Sequence, residues 1–384
     1  MTVTSPDSLA TLALFTGAPQ HDNFSRMKDL LPTSRLEPSP SPFHFPAGAL
    51  VSLPQTYEFE GETRATEAFF TQTDTAALLV IKNGTVRLER YALTGGPEVP
   101  WISMSVAMSL ISALVGIAVA EGHIRNLEEA ISDYVPVHPG SAYDRVSIRN
   151  VLQMSSGARW NEDYSDPTSD VHRLGAAMVG AITHDEFVAG MVRESEPGTI
   201  CRYNSGDTQA LGALLVHATG RSITDYMQEK LYSPLGMVDP GYWMVDATGM
   251  EMAYAGLNLT ARDYAKLGEL YRNGGQWRGR QVVPKAWVAA SVTADAPHLA
   301  NGRPILSDHT LPLGYGFQWW LPDGSDGEFS AIGVYNQFVY VDPSRAVTIV
   351  KLSANRAYGT SMDEATNHEI ETIAFLRAIA RQLD

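Results

Sequence analysis

The chain has 384 residues, which is enough for one large domain or two closely packed ones. Its hydrophobic content of 44% and charged content of 18% are those of an ordinary globular protein. Acidic residues outnumber basic ones by 43 to 28, and the net charge of −15 argues against nucleic acid or an anionic membrane as the main partner.

Cysteine and histidine usage predicts a protein without disulfides, metal or cofactor. Cys201 is the only cysteine, so no internal disulfide can form, and we interpret it as a buried thiol. The ten histidines are scattered and provide no cluster with metal-ligand spacing. The apolar run at residues 9–15 is too short for a signal peptide, and no stretch approaches the length of a membrane span. We therefore expect a cytoplasmic protein.

Residues 1–55 are rich in proline, serine and other polar residues, and we expect an irregular segment that wraps the body of the protein. The segment contains Ser25-Arg26-Met27-Lys28, which fits the S-x-x-K pattern of a serine nucleophile and its lysine. No long apolar helix follows this tetrapeptide, so we interpret the match as a coincidence. Residues 56–384 would then form the catalytic domain.

A hairpin and a buried helix are predicted next along the chain. Residues 76–91 alternate between apolar and polar and carry the turn signal Lys82-Asn83-Gly84, which favours two antiparallel strands. Residues 104–120 are apolar on all sides, which predicts a helix buried in the centre of the protein.

The rest of the chain is mainly helical in pattern and then returns to strands. Extended runs are predicted at residues 316–321, 329–334, 337–341 and 346–352, and a final helix at 361–383. Strands at both ends with helices between them predict an α+β fold. One antiparallel sheet would be built from both chain ends (about 56–125 and 250–384), with a mainly helical part inserted at about 126–249.

The start of the predicted central helix carries residues with chemical potential. Ser105 and Met108 are three positions apart and therefore share one helical face. In the S-x-x-K pattern a lysine at this spacing takes the proton of the nucleophilic serine. The N–H of a residue at a helix start also points outward and is free to stabilise an oxyanion. A serine at this position is equally typical of a helix cap.

Several segments together resemble the serine β-lactamase and penicillin-binding-protein superfamily, and within it the 6-aminohexanoate-dimer hydrolases and class-C-like carboxylesterases. The resemblance spans roughly residues 75–355. It is carried by residues 103–116, 154–157, 163–167, 203–205, 259–263, 318–320 and 333–343. It implies a β-lactamase/transpeptidase-like fold in which Ser105 is the nucleophile.

The resemblance also implies roles for two further motifs. Tyr203 would relay a proton to the leaving group, and Ser205 would orient the tyrosine by a hydrogen bond. The segment Ala331-Ile332-Gly333 falls where β-lactamases have K-T-G. Gly333 would leave room for substrate along the strand.

The N–H of Val334 would be the second oxyanion donor beside that of Ser105.

A pocket wall is implied by the same likeness. Tyr164 and Trp320 match positions that line the amide-substrate pocket in the 6-aminohexanoate-dimer hydrolases, although either could simply belong to the core. Glu162, Asp166 and Asp170 make the nearby loop acidic. This loop could attract a substrate amine, but we interpret it as a solvated acidic loop.

Methionine at position 108 limits the expected activity. A thioether cannot hold a proton, and losing general-base assistance typically costs about two to four decades in rate. Methionine fits the volume of a lysine stem, so the fold should survive. Three explanations stay open: an engineered variant of an active enzyme, a natural enzyme that uses Tyr203 or a water as base, and a natural non-catalytic relative.

The sequence thus predicts a serine hydrolase that cleaves a short amide or ester through an acyl-enzyme on Ser105 and is impaired by Met108. The substrate would be a 6-aminohexanoate-oligomer-type amide or a short-chain carboxylic ester. A non-catalytic protein that binds a small ligand is the first alternative. A β-lactamase or D-Ala-D-Ala peptidase is the second, and it is disfavoured because Ala331 lacks the K-T-G lysine. A homodimer is compatible with a soluble protein of this size.

Overall fold

The computed structural model describes residues 20–324 and 326–384. The predicted apolar run at residues 9–15, and the rest of residues 1–19, lie outside the described residues. The strands are β1 (Thr33–Leu36), β2 (Thr56–Phe59), β3 (Glu62–Ala65), β4 (Thr75–Lys82), β5 (Thr85–Tyr91), β6 (Trp101–Ile102), β7 (Gly241–Met244), β8 (Leu257–Leu259), β9 (Gln276–Trp277), β10 (Arg280–Gln281), β11 (Arg303–Leu306), β12 (His309–Leu311), β13 (Leu313–Tyr315), β14 (Trp320–Pro322), β15 (Phe329–Gly333), β16 (Gln337–Asp342) and β17 (Val347–Ser353).

Helices are interspersed with these strands along the chain. The α-helices are α1 (Gln20–Phe24), α2 (Met27–Leu30), α3 (Thr66–Gln72), α4 (Val106–Ala120), α5 (Ile148–Leu152), α6 (Asp170–Gly175), α7 (His184–Ala189), α8 (Ser205–Thr219), α9 (Ile223–Met227), α10 (Ala261–Arg272), α11 (Lys285–Ser291), α12 (Glu364–Asn367) and α13 (Glu369–Arg381). Short 3₁₀ turns cover Ile131–Asp133, Ala176–Val179 and Pro297–Leu299, and a π-helical turn covers Gln228–Tyr232. In the part of the chain that these elements describe, no helix is both long enough and apolar enough to cross a membrane.

The main sheet joins the two ends of the described chain. Its strand order is β13-β14-β15-β16-β17-β4-β5, and every neighbouring pair is antiparallel. The predicted hairpin forms β4 and β5, and its turn places Asn83 and Gly84 at φ 52° and 72°, which the two residue types tolerate. The predicted α+β class, with one antiparallel sheet built from both chain ends, is confirmed.

Helix α4 forms the centre of the molecule, as its uniform apolarity predicts. All its residues from Val106 to Ala118 are buried, between strand β15 on one side and helix α8 on the other. Gly116 allows a close approach of the Trp287 indole, because a Cβ atom there would lie 2.5 Å from that ring. A helix buried on all sides positions its first residues with little freedom to move.

Three local features differ from the sequence expectations. Residues 20–36 hold two short helices and strand β1, which pairs with β7, so this part of the expected irregular segment is regular. The final helix is divided at His368, whose φ of 51° ends α12 before α13 begins. The imidazole Nδ1 of His368 lies 2.7 Å from the Glu371 carboxylate in the first turn of α13.

The third difference concerns the run at residues 316–321, where β14 begins only at Trp320 because Gln318 has a φ of 63°. In the S-x-x-K match near the amino end, the Ser25 hydroxyl donates to the Asp22 carbonyl and Lys28 pairs with Asp29 at the surface. The serine and the lysine of this match are therefore both bonded to residues of the same short segment.

Lys351 is a buried amine on strand β17 of the main sheet. Its Nζ donates to the hydroxyls of Thr73 at 3.0 Å and Ser353 at 2.6 Å, and it lies 5.7 Å from the centre of the Phe69 ring. Burial lowers the pKa of Lys351 to about 7, although the Asp74 charge opposes the shift. The amine therefore loses its proton in the folded protein near neutral pH.

This lowered pKa predicts a pH-dependent stability. The unfolded chain holds the lysine proton up to about pH 10.4 and the folded chain only to about pH 7, so stability increases as pH rises through this window. Lys351→Met should remove this contribution, which amounts to at most about 1.4 kcal/mol per pH unit. Urea unfolding of both proteins at pH 7, 8 and 9 measures the difference, and parallel pH dependence would contradict it.

Candidate active site

A strained turn presents Ser105 at the start of helix α4. Strand β6 pairs with β8, and the Ser103 hydroxyl donates to the Ala255 carbonyl at 3.1 Å, which fixes the approach of the chain. Met104 then adopts a φ of 45°, which costs a non-glycine residue about 1–2 kcal/mol. Ser105 follows as the residue that precedes the first helical position, and its carbonyl accepts from the Met108 N–H.

Ser105, Met108 and Tyr203 meet in the interior. Their exposed fractions are 6%, 1% and 4%. The Tyr203 phenol donates to the Met108 Sδ at 3.0 Å and is also hydrogen-bonded to the Ser105 hydroxyl. The structure therefore brings together the three residues that the sequence patterns single out, with a sulfur atom where the pattern has an amine.

The electrostatic environment of Tyr203 is that of a neutral phenol. Burial and the nearby Glu162 carboxylate raise the pKa of Tyr203 well above its usual range, and only the Ser105 hydrogen bond opposes them. The resemblance implies a lysine cation that lowers this pKa. Met108 supplies no charge, and the pKa of Tyr203 is therefore raised here, whereas the implied lysine would lower it.

Aromatic rings enclose the tyrosine. Trp320 stacks on Tyr203 with ring centroids 5.0 Å apart, and Tyr315 packs edge-on against both rings. Tyr164 is half-buried, packs edge-on against Tyr358 and donates its hydroxyl hydrogen to Glu162 at 2.7 Å. Of the two predicted wall residues, Trp320 contacts the Tyr203 ring directly. Tyr164 is linked to the segment after Tyr203 by the Glu162 carboxylate, which accepts from both Tyr164 and Ser205.

Strand β15 approaches the start of α4 very closely. A Cβ atom on Gly333 would lie 2.8 Å from both the Ser103 carbonyl oxygen and the Ser105 nitrogen. Within residues 20–324 and 326–384, the N–H groups of Ser105 and Val334 donate to no acceptor. Both donors therefore stay available beside the serine hydroxyl. Ala331 is buried in the same strand.

Glu162 is the site residue that the sequence analysis misjudged. We expected a solvated acidic loop, whereas Glu162 is fully buried and accepts from Tyr164, Trp160 and both the N–H and hydroxyl of Ser205. The Ser205 hydroxyl, predicted to orient Tyr203, is thus bonded to Glu162. Burial raises the pKa of Glu162 in spite of these donors. The alternation Trp160-x-Glu162-x-Tyr164, which puts the three side chains on one face, was the available signal.

The other two acidic residues of this loop are half-buried and bonded locally. Asp166 accepts from the N–H and hydroxyl of Thr168, and Asp170 pairs with Arg173 at 2.9 Å.

Helix α8 holds Tyr203 from the other side. The Asn204 side chain accepts from the N–H groups of Gly206 and Asp207 and so caps the helix directly after the tyrosine. Asp207 in turn accepts from the hydroxyls of Tyr143 and Ser156, and burial raises its pKa to about 7. This network gives the backbone of Tyr203 a fixed position.

Cys201 and metal binding need only brief description. The thiol is buried, lies 3.5 Å from the Gln153 carbonyl, and has its pKa raised by burial. The described residues contain no group of three His, Cys, Asp or Glu side chains placed to hold a metal ion.

Comparison with known proteins identifies the family. The sequence profile of the Beta-lactamase family matches residues 64–374. The chain is 30% identical over 344 residues to the 6-aminohexanoate-dimer hydrolase of Paenarthrobacter ureafaciens, covering 86% of this chain and 84% of that protein.

Solved structures agree on the fold. The structure described as "Putative 6-aminohexanoate-dimer hydrolase from Bacillus anthracis" matches with a TM-score of 0.85 and 24% identity, covering 100% of this chain and 99% of that one. A family VIII carboxylesterase matches with a TM-score of 0.60 and 16% identity, covering 82% and 95%.

The chain therefore belongs to the β-lactamase family of serine hydrolases. Within that family it is a homologue of 6-aminohexanoate-dimer hydrolase, which confirms the predicted resemblance.

The close approach at Gly333 predicts a strong effect of a single methyl group. Gly333→Ala would bring a Cβ atom against backbone atoms of Ser103 and Ser105, which cannot rotate away, so we expect a loss of about 1–3 kcal/mol in unfolding free energy. Gly175→Ala is the matched control, because a Cβ there meets no atom within 4 Å. Urea unfolding measures both, and equal stability of the two variants would refute the contact.

Proposed function

We propose that this chain has the site of a serine hydrolase for short amides or esters, with an acyl-enzyme formed on Ser105, and that Met108 impairs it. The observation that carries the proposal is the meeting of the Ser105 hydroxyl, position 108 and the Tyr203 phenol in one buried site. The free N–H groups of Ser105 and Val334 support it, because such donors stabilise the oxyanion of acyl transfer.

The proposed reaction begins when the Ser105 hydroxyl oxygen attacks the substrate carbonyl and its proton passes to a base. The carbonyl oxygen becomes an oxyanion that accepts from the N–H groups of Ser105 and Val334. As the tetrahedral intermediate collapses, the Tyr203 phenol donates its proton to the departing nitrogen or oxygen and regains one from the protonated base. Water then attacks the acyl group, which releases the acid and restores the serine hydroxyl.

Among the described residues of the site, the proton from Ser105 has no efficient acceptor. The Met108 sulfur is only a weak hydrogen-bond acceptor and cannot take up a proton. Tyr203 is a poor substitute, because its raised pKa keeps the phenol protonated at neutral pH. These facts support an impaired hydrolase over an enzyme in which Tyr203 replaces the missing base.

The enclosure of the site favours short substrates. Trp320, Tyr203 and Tyr315 pack together around the reacting groups, and the side chains of all three are buried. Aromatic rings supply apolar contact, and we therefore propose a 6-aminohexanoate-type amide or a short-chain carboxylic ester as the substrate. The 6-aminohexanoate-dimer hydrolase relative supports the amide.

Two other functions make different predictions. A non-catalytic binding protein is favoured by the Met108–Tyr203 contact, which leaves the site neutral and without a base. A β-lactamase or peptidase is disfavoured because Ala331 is buried and provides no cation for a substrate carboxylate.

The direct test is to restore the amine at position 108. Met108→Lys should raise hydrolysis of p-nitrophenyl acetate about 10²- to 10⁴-fold, because a general base then accepts the Ser105 proton. Met108→Leu is the matched control and should stay at the basal rate, and Ser105→Ala combined with Met108→Lys should return to it. Saturable binding of a small amide with no gain in turnover would instead support the binding protein.

The role of Tyr203 can be separated from that of the base by the choice of leaving group. In the Met108→Lys background, Tyr203→Phe should slow hydrolysis of an amide about 10²-fold or more, because an amine must be protonated to leave. Hydrolysis of p-nitrophenyl acetate should change less than about tenfold, because nitrophenolate leaves without a proton. Equal losses on both substrates would assign the tyrosine another role.

A further inference from the structure

Glu162 connects two parts of the site that are separate in sequence. Its carboxylate accepts from the Ser205 hydroxyl at 2.7 Å and the Ser205 N–H at 3.2 Å, two residues after Tyr203. It also accepts from the Tyr164 hydroxyl at 2.7 Å and from the Trp160 indole N–H. One side chain thus ties the tyrosine segment to the pocket loop.

The charge of this carboxylate has no cationic partner. Every donor to Glu162 is a neutral group, and within the described chain no lysine, arginine or histidine forms an ion pair with it. Its charge contributes to raising the pKa of the phenols of Tyr164, Tyr203, Tyr254 and Tyr315. A fully buried carboxylate without a counter-charge is an unfavourable arrangement.

Position 108 is where a counter-charge would fit. The Met108 Sδ lies 3.0 Å from the Tyr203 hydroxyl, the same phenol whose pKa Glu162 raises. An amine on a side chain of similar length would place a positive charge beside that phenol. The Tyr203 phenol would then lie near both a positive charge at position 108 and the negative charge of Glu162.

We propose that Glu162 is a positioning residue of this site, which holds Ser205 and Tyr164 in place and supplies the negative charge that balances a cation at position 108. This inference rests on the proposed function, in which position 108 is that of the general base. It goes further in assigning to the site a charge partner that lies on the pocket loop, far from position 108 in sequence.

Stability gives a test that does not depend on catalysis. Unfolding equilibria of the full chain, Met108→Lys, Glu162→Gln and the double variant form a double-mutant cycle. If the two charges interact, Met108→Lys should be tolerated about tenfold better, in the unfolding equilibrium constant at pH 7, when Glu162 is present than in the Glu162→Gln background.

Glu251→Gln is the matched control for this cycle, because Glu251 is also buried and accepts only from neutral groups, the N–H and hydroxyl of Thr224. It should show no coupling to position 108. Coupling below about twofold at Glu162, or equal coupling at Glu251, would overturn the proposal. If Glu162→Gln does not fold, Glu162→Ala, which also removes the charge, replaces it in the cycle and should show coupling of the same sign.

A pH profile separates positioning from a merely structural role. In the Met108→Lys background the base must lose its proton to act, and a nearby carboxylate raises its pKa. Glu162→Gln should therefore move the acid limb of the kcat profile for p-nitrophenyl acetate to lower pH by about one unit, and should lower kcat more than it changes KM. Glu162→Asp, which keeps the charge, should leave the limb near its original position.

The two proposals fail in different ways. If Met108→Lys stays inactive, the proposed hydrolase mechanism is wrong, and the stability cycle still decides the charge partnership. If Met108→Lys is active but Glu162→Gln leaves both the acid limb and the stability cycle unchanged, only the role of Glu162 is refuted.

Discussion

The close contact between strand β15 and the start of helix α4 is the constraint on which the site depends. Gly333 lies so near the backbone of Ser105 that any shift between strand β15 and helix α4 would change the position of Val334 relative to Ser105. The sheet supplies one N–H donor and the helix the other. Burial of α4 on all sides holds this arrangement, because a packed core resists displacement. The buried core and the position of these two N–H groups are therefore products of the same packing.

The electrostatics of the site follow from its dryness. In a buried environment a charged group without a partner is strongly disfavoured, so Tyr203 keeps its proton and its pKa rises. Glu162 is drawn toward its neutral form for the same reason, although four donors oppose this. Met108, which contacts the Tyr203 phenol from helix α4, carries no charge that could reverse these two pKa shifts. The predicted site residues thus lie together, while the Tyr203 phenol keeps its proton and the pKa of Glu162 is raised.

Much of the fold could be predicted from local patterns, because the patterns were strong. The hairpin at Asn83-Gly84 has a turn that only certain residues adopt, and helix α4 is apolar over its whole length. Ser105 was found through the S-x-x-K spacing, and Tyr203 through the resemblance to the serine β-lactamase superfamily. Glu162 was misjudged because polar residues near Asp166 resemble a solvent-exposed loop, and burial is decided by contacts that come from distant parts of the chain.

The break at His368 was missed for a related reason. The sequence at 361–383 has a helical pattern, and a single left-handed residue at His368 leaves no signal in that pattern. Residues 20–36 were expected to be irregular because the segment is rich in proline, serine and other polar residues. The partner of its strand β1, which is β7, lies far along the chain. Long-range pairing of this kind leaves no local signal.

Met108 shows how packing and chemistry can be separated at one position. The side chain fills buried space on α4 and accepts a hydrogen bond from Tyr203, so the helix, the aromatic enclosure and the close contact at Gly333 all persist. A thioether at this position provides no reversible proton acceptor, and no packing interaction can supply one. The Glu162 carboxyl group is also present, with its pKa raised by burial and with four neutral donors that oppose this shift. The proposed pairing would therefore make Glu162 one half of a charge arrangement whose other half is a cation at position 108.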